Sequence, residues 1–131
     1  MTLDVQARML IEQQCTSLCY RAMYYLDKRA IDSFADLLTE DAELISGLGT
    51  YKGRETIRAW LGGSRRGSLS RHIITNLHFV NVQENEADAI GLNTSLLSTE
   101  GYEDEPPFMN AKVFELHDRY QRTEEGWRLR S

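Results

Sequence analysis

The chain has 131 residues, 41% of them hydrophobic and 27% charged, with a formal net charge of -5. This fits a single domain over residues 1–131 with a buried core, and the acidic balance sets nucleic acid and anionic membrane aside as main partners, since phosphate binding needs a basic surface. No apolar run approaches the roughly 20 residues of a bilayer span, and residues 1–14 lack a signal peptide's charged start and apolar middle, so the expected location is the cytoplasm.

Ile11, Cys15, Leu18, Ala22 and Leu26 recur at helical spacing and predict a long helix over residues 5–28. Cys15 and Cys19, four apart on it, match neither a zinc spacing nor a disulfide framework and read as small buried apolar residues. Ile31, Phe34, Ala35 and Leu38 form the face of a second, short helix. Residues 42–46 and 50–52 are short strand candidates around a bend at Gly47 and Gly49. Gly53 precedes a third helix with Ile57, Trp60 and Leu61 on one side.

Residues 62–70, rich in Gly and Ser, read as a loop with Arg65 and Arg66 exposed. The period then changes. Residues 71–83, rich in Ile, Thr, Phe and Val, predict a long strand, and Glu84-Asn85-Glu86 a hairpin turn. Residues 87–99 form a second long strand, with Gly91 a candidate bend or bulge. An acidic loop over 103–107 leads to strands over 109–123 and 127–130. The order predicts an α+β fold in which three N-terminal helices pack on a curved antiparallel sheet. Strands of about 13 residues exceed the usual five or six and must coil or bend. A bent sheet with helices across its mouth forms a cone, a shape suited to an apolar ligand pocket.

The run from Leu26-Asp27-Lys28-Arg29 through Thr39-Glu40-Asp41-Ala42 resembles the opening of the SnoaL-like family, within the nuclear transport factor 2-like superfamily. Gly53-Arg54-Glu55-Thr56-Ile57, Arg71-His72-Ile73-Ile74-Thr75-Asn76, Asp118-Arg119-Tyr120 and Glu125-Gly126-Trp127-Arg128-Leu129 are similar to later parts of the same pattern, in the same order. The resemblance implies a cone-shaped α+β barrel, often dimeric through its sheet. It reaches scytalone and bile acid dehydratases, steroid isomerase, polyketide cyclases and the small subunits of ring-hydroxylating dioxygenases, so the fold alone does not fix the activity. In the dehydratase branch an Asp at the end of the first helix and a His on the long strand do acid–base chemistry, and here these are Asp27 and His72. Two departures stand out. Leu26 and Ala22 occupy the spacings where the dehydratases place a tyrosine, leaving Tyr24 as the nearest substitute. Relatives usually continue through the last strand and often carry a functional arginine there, a place that Arg130, next to the final residue Ser131, need not fill.

Each candidate has a structural alternative. His72 can take a proton and return it near neutral pH, or be a strand histidine bonded to a backbone carbonyl. Asp27 opposes the helix dipole, which calls for a partner: His72, or else Lys28 or Arg29. Asp118 alternates with Phe114, Leu116 and Tyr120 on the face expected inward, so Asp118 and the Tyr120 hydroxyl are substrate-binding or purely structural. His72, Asn76 and His78 share strand parity if no bulge intervenes. Asn76 is a substrate-binding or backbone-bonding residue, and Trp60 a pocket wall or plug. The histidine spacing, with His117 on another strand, matches no zinc pattern, and neither a metal nor an organic cofactor is expected. The leading expectation is an acid–base dehydratase or isomerase acting on a hydrophobic cyclic molecule, as a homodimer. In it His72 and Asp27 are catalytic, and Tyr24, Asp118, Tyr120, Asn76 and Trp60 bind substrate. The competing expectation is a non-catalytic binding module related to the dioxygenase small subunits.

Overall fold

The computed structural model describes residues 2–47, 49–64, 69–98 and 110–131, the side chain of Ser64 excepted. Helix α1, Val5–Asp27, starts where the Asp4 carboxylate accepts the Ala7 backbone N–H at 2.7 Å. Its inward stripe is Ile11, Cys15, Leu18, Cys19 and Ala22, all buried. It ends with Arg29 in the left-handed region, φ 57°, where the Ala30 N–H reaches back to the Tyr25 carbonyl and the Arg29 N–H to the Leu26 carbonyl. Glycine usually takes that position. Here the Arg29 guanidinium also donates to the Leu61 carbonyl at 3.2 Å, tying the turn to the third helix.

Helix α2, Ile31–Ala35, buries Phe34 and Ala35. Strands β1, Glu43–Ser46, and β2, Gly49–Lys52, pair antiparallel. Helix α3, Arg54–Ser64, buries Ile57 and Leu61. Strands β3, Leu69–Val82, β4, Glu86–Ser98, β5, Asn110–Thr123, and β6, Gly126–Leu129, follow as an antiparallel meander in the order β3-β4-β5-β6. The helices-then-meander order is the one expected. The core lies between α1 and one face of this sheet, with Ala87, Ala89, Tyr120, Trp127 and Leu129 facing the helix stripe. The C-terminal strand is stitched to the segment after α2: Leu129 pairs with Leu38, and the Glu43 N–H donates to the Arg130 carbonyl.

Two expectations change. The loop over 62–70 is shorter, because Gly62 to Ser64 continue the hydrogen-bonded turns of α3, and Leu69 and Ser70 already pair with Ser98 and Leu97. Arg65 and Arg66, and the acidic loop at 103–107, lie outside the described residues. The irregularity expected at Gly91 instead sits opposite it, on β3, where the register shifts between Thr75 and His78 and again between Phe79 and Asn81. Each shift adds twist and bends the strand, which curves the sheet around α1. Gly91 permits this approach. A Cβ there would stand 3.1 Å from the Thr75 carbonyl oxygen and 3.2 Å from the Leu77 Cα. Both neighbours are backbone and cannot swing away. Replacing Gly91 with Ala is therefore expected to cost roughly 1–3 kcal/mol of unfolding free energy, read from urea denaturation midpoints. An unchanged midpoint would mean that the bulge has slack.

Candidate active site

Asp27 is the last residue of α1, and its charge opposes the partial negative charge of that helix end. The compensation comes from β3. The Asp27 carboxylate accepts the His72 backbone N–H at 2.9 Å, the Ser70 hydroxyl at 3.2 Å and His72 Nδ1 at 2.6 Å. Ser70 and His72 are two apart on a strand and so project from the same face. Arg71, between them, turns its guanidinium back onto the Ser70 carbonyl at 2.7 Å and the Asp27 carbonyl at 3.4 Å. A cation thus satisfies a helix-end carbonyl that has no partner within the helix.

The His72 and Asp27 side chains are 9% and 11% exposed. A carboxylate accepts hydrogen bonds, so the His72 ring donates to it through Nδ1, which leaves Nε2 as the ring atom turned to other partners. The arrangement can therefore hold an imidazole in one tautomer and stabilise it once it is protonated.

The other expected site residues scatter. Tyr24 is 60% exposed, with the Lys28 ammonium 5.8 Å from its ring centre. Two residues on from buried Ala22, it falls on the far side of the helix. Tyr25, half-buried against the core, is the tyrosine turned inward, and the spacing of three from Ala22 could have shown it. Asn76 is exposed in the β3 bulge with φ 56°, and its carbonyl pairs with His78 Nδ1 at 3.0 Å. The bulge breaks the shared parity with His72. Trp60 is half-buried and stacks on Tyr51, with ring centres 4.2 Å apart, at the edge of the core. Neither Ser70 nor Arg71 stood out in the sequence, because both act through an element about 43 residues away.

Asp118 and Tyr120 do face inward, but not at the dyad. The Tyr120 hydroxyl donates to Asp118 Oδ2 at 2.7 Å, and the buried Cys19 thiol lies beside both. Cys19 is eight residues before Asp27, roughly 12 Å along the helix. These groups are a polar knot in the core, under the middle of α1. Burial pushes the Asp118 carboxyl up to about 6 and the Cys19 thiol up to about 12, and it raises the Tyr120 phenol. Clefts of about 310 and 730 Å³ also lie away from the dyad, at the β3–β4 and β5–β6 turns.

The raised Asp118 carboxyl has a consequence for stability. Between its unfolded value of 3.8 and its folded value of about 6, the folded chain keeps a proton that the unfolded chain releases. Its contribution is therefore full below about pH 4 and is lost as pH rises through 6, by on the order of 2–3 kcal/mol. Asp118→Asn keeps an acceptor for Tyr120 and removes the titration. Urea denaturation at pH 4.5 and 8 is expected to show the variant gaining on the parent at pH 8. An equal difference at both values would place the titration elsewhere.

The fold matches solved structures. A scytalone dehydratase-like protein of Novosphingobium aromaticivorans DSM 12444 superposes with a TM-score of 0.78 at 18% identity, covering 97% of this chain and 84% of that one. LinA gives 0.77 at 22%, covering 95% and 84%. ActVI-ORFA of Streptomyces coelicolor gives 0.72 at 24%, covering 92% and 93%. All three are of the nuclear transport factor 2-like superfamily, and at these identities the likeness is one of fold. A search of curated proteins finds no match. The SnoaL-like domain model matches residues 7–131, nearly the whole chain, and the protein belongs to that family.

Proposed function

We propose that this chain is an acid–base enzyme of the dehydratase or isomerase kind, acting on a hydrophobic cyclic molecule such as a steroid, polyketide or aromatic catabolite. The observation that carries this reading is the 2.6 Å contact between Asp27 and His72 Nδ1. Family membership and the scytalone dehydratase-like and LinA folds support the reaction class. His72 Nε2 takes a proton from a carbon beside a carbonyl, and Asp27 holds the imidazolium that results. In an isomerisation the proton returns to another carbon of the substrate. In a dehydration it goes to the departing hydroxyl, which leaves as water. Half-buried Met23, Leu26, Ile74 and Leu77 supply apolar surroundings, where a fixed charge acts more strongly than in water.

A second reading rests on the same carboxylate. Its bonds to Ser70, to the His72 backbone and to the imidazole would also suit a purely structural clamp in a non-catalytic binding module. Double-mutant kinetics separate the two readings. With a substrate found from a steroid and polyketide panel, His72→Ala and Asp27→Ala are each expected to lower kcat/KM by roughly 100-fold or more. The double variant should lose little further, as for groups acting as a unit. Losses that simply multiply, with a lowered melting temperature, would favour the clamp.

We also propose a homodimer packed through the outer sheet face. Register places Ile73, Thr94 and Val113 in one row there, with Ile73 and Val113 exposed. Sedimentation at micromolar concentration is expected to give twice the 15.1 kDa chain mass. A single species at the chain mass would count against it.

A further inference from the structure

Asn93, on β4, is 4% exposed, and its Oδ1 is buried with no hydrogen-bond partner among the described residues. A buried amide oxygen left unpaired weakens the fold, so its presence calls for a reason. Its orientation follows from chemistry. Asn93 Nδ2 stands 4.0 Å from the Met23 thioether, which accepts but does not donate. The nitrogen therefore faces the sulfur, and the oxygen is turned away from it.

Two independent relations place Asn93 near the dyad. His72 pairs with Ser95 and Ile74 with Asn93, so Asn93 is the diagonal neighbour of His72 on the same sheet face, roughly 7–8 Å away. Met23 is four residues before Asp27, one helical turn, with side chains roughly 5–6 Å apart. Across the sheet Asn93 is flanked by Ile74 and Phe114. Asn93 thus holds its acceptor in apolar surroundings, one residue pair along the same sheet face from His72.

We propose that Asn93 Oδ1 receives a hydrogen bond from a hydroxyl of the ligand, and that the molecule this site takes is a hydroxylated ring system. This rests on reading the His72 side of the cone as a ligand site, though not on catalysis there. The hydroxyl is a recognition group rather than the leaving group. A departing hydroxyl must be given a proton, and an amide oxygen has none to give. A ring bearing an ether at that place loses the bond and leaves the oxygen unpaired, which makes the site selective.

Matched probes test this: 1-naphthol and 1-methoxynaphthalene, titrated calorimetrically into the parent chain, Asn93→Leu and His72→Gln. The parent is expected to bind the naphthol about tenfold or more tighter than its methyl ether. Asn93→Leu is expected to abolish that preference while binding the ether as the parent does, with a melting temperature no lower than the parent's. His72→Gln is expected to keep the preference. Equal binding of the two probes by the parent overturns the proposal. So does a preference that survives Asn93→Leu, a loss of stability in that variant, or a preference lost in His72→Gln. If the preference behaves as expected while the dyad variants show no kinetic coupling, only the acid–base reading fails.

Discussion

The site depends on one carboxylate placed against its own helix dipole. Asp27 would weaken the end of α1 if it stood alone. It is held because β3 delivers a backbone N–H, a hydroxyl and an imidazole to it within three residues. The same bonds fix where α1 ends relative to the sheet, and so where the rest of its inward stripe falls. Arg71 completes the arrangement from the opposite face by covering the Asp27 carbonyl. The helix end, the strand start and the candidate base are therefore one physical unit.

Curvature decides what else can reach that unit. The register shifts in β3 bend it, and Gly91 lets the neighbouring strand close on the bend. Beyond the first shift the inward residues of β3 are Leu77 and Phe79, and the polar Asn76 and His78 are turned out. On its inward face β3 is thus polar at Ser70 and His72 and apolar at Leu77 and Phe79. This division suits chemistry at one end and ring binding below it.

The buried polar groups are held in two different ways. Asp118 and the Tyr120 hydroxyl satisfy one another beside Cys19, and the cost of burial appears as a carboxyl raised to about 6. Asn93 is not satisfied at its oxygen by any of the described residues. A closed network suits a structural role, and an open acceptor beside a histidine suits a ligand.

Much of this was legible in the sequence because it is local. A helical period over α1 and alternation over the later strands depend only on residues a few positions apart, and they set the α+β order. They also turned Asp118 and Tyr120 inward. The pairing of Asp27 with His72 came from family resemblance, and the same resemblance pointed to Tyr24, which the helix turns outward. Tertiary structure decided the rest. A register shift of one residue moves Asn76 from one face to the other, and no local period announces it. Which end of the cone an inward residue occupies depends on how α1 lies across the sheet, which separates Asp118 from the dyad. The open acceptor at Asn93 exists only because Met23, 70 residues earlier, meets its nitrogen with a sulfur that cannot donate. Contacts of that separation are fixed by packing, and the residues on either side of Asn93 carry no trace of them.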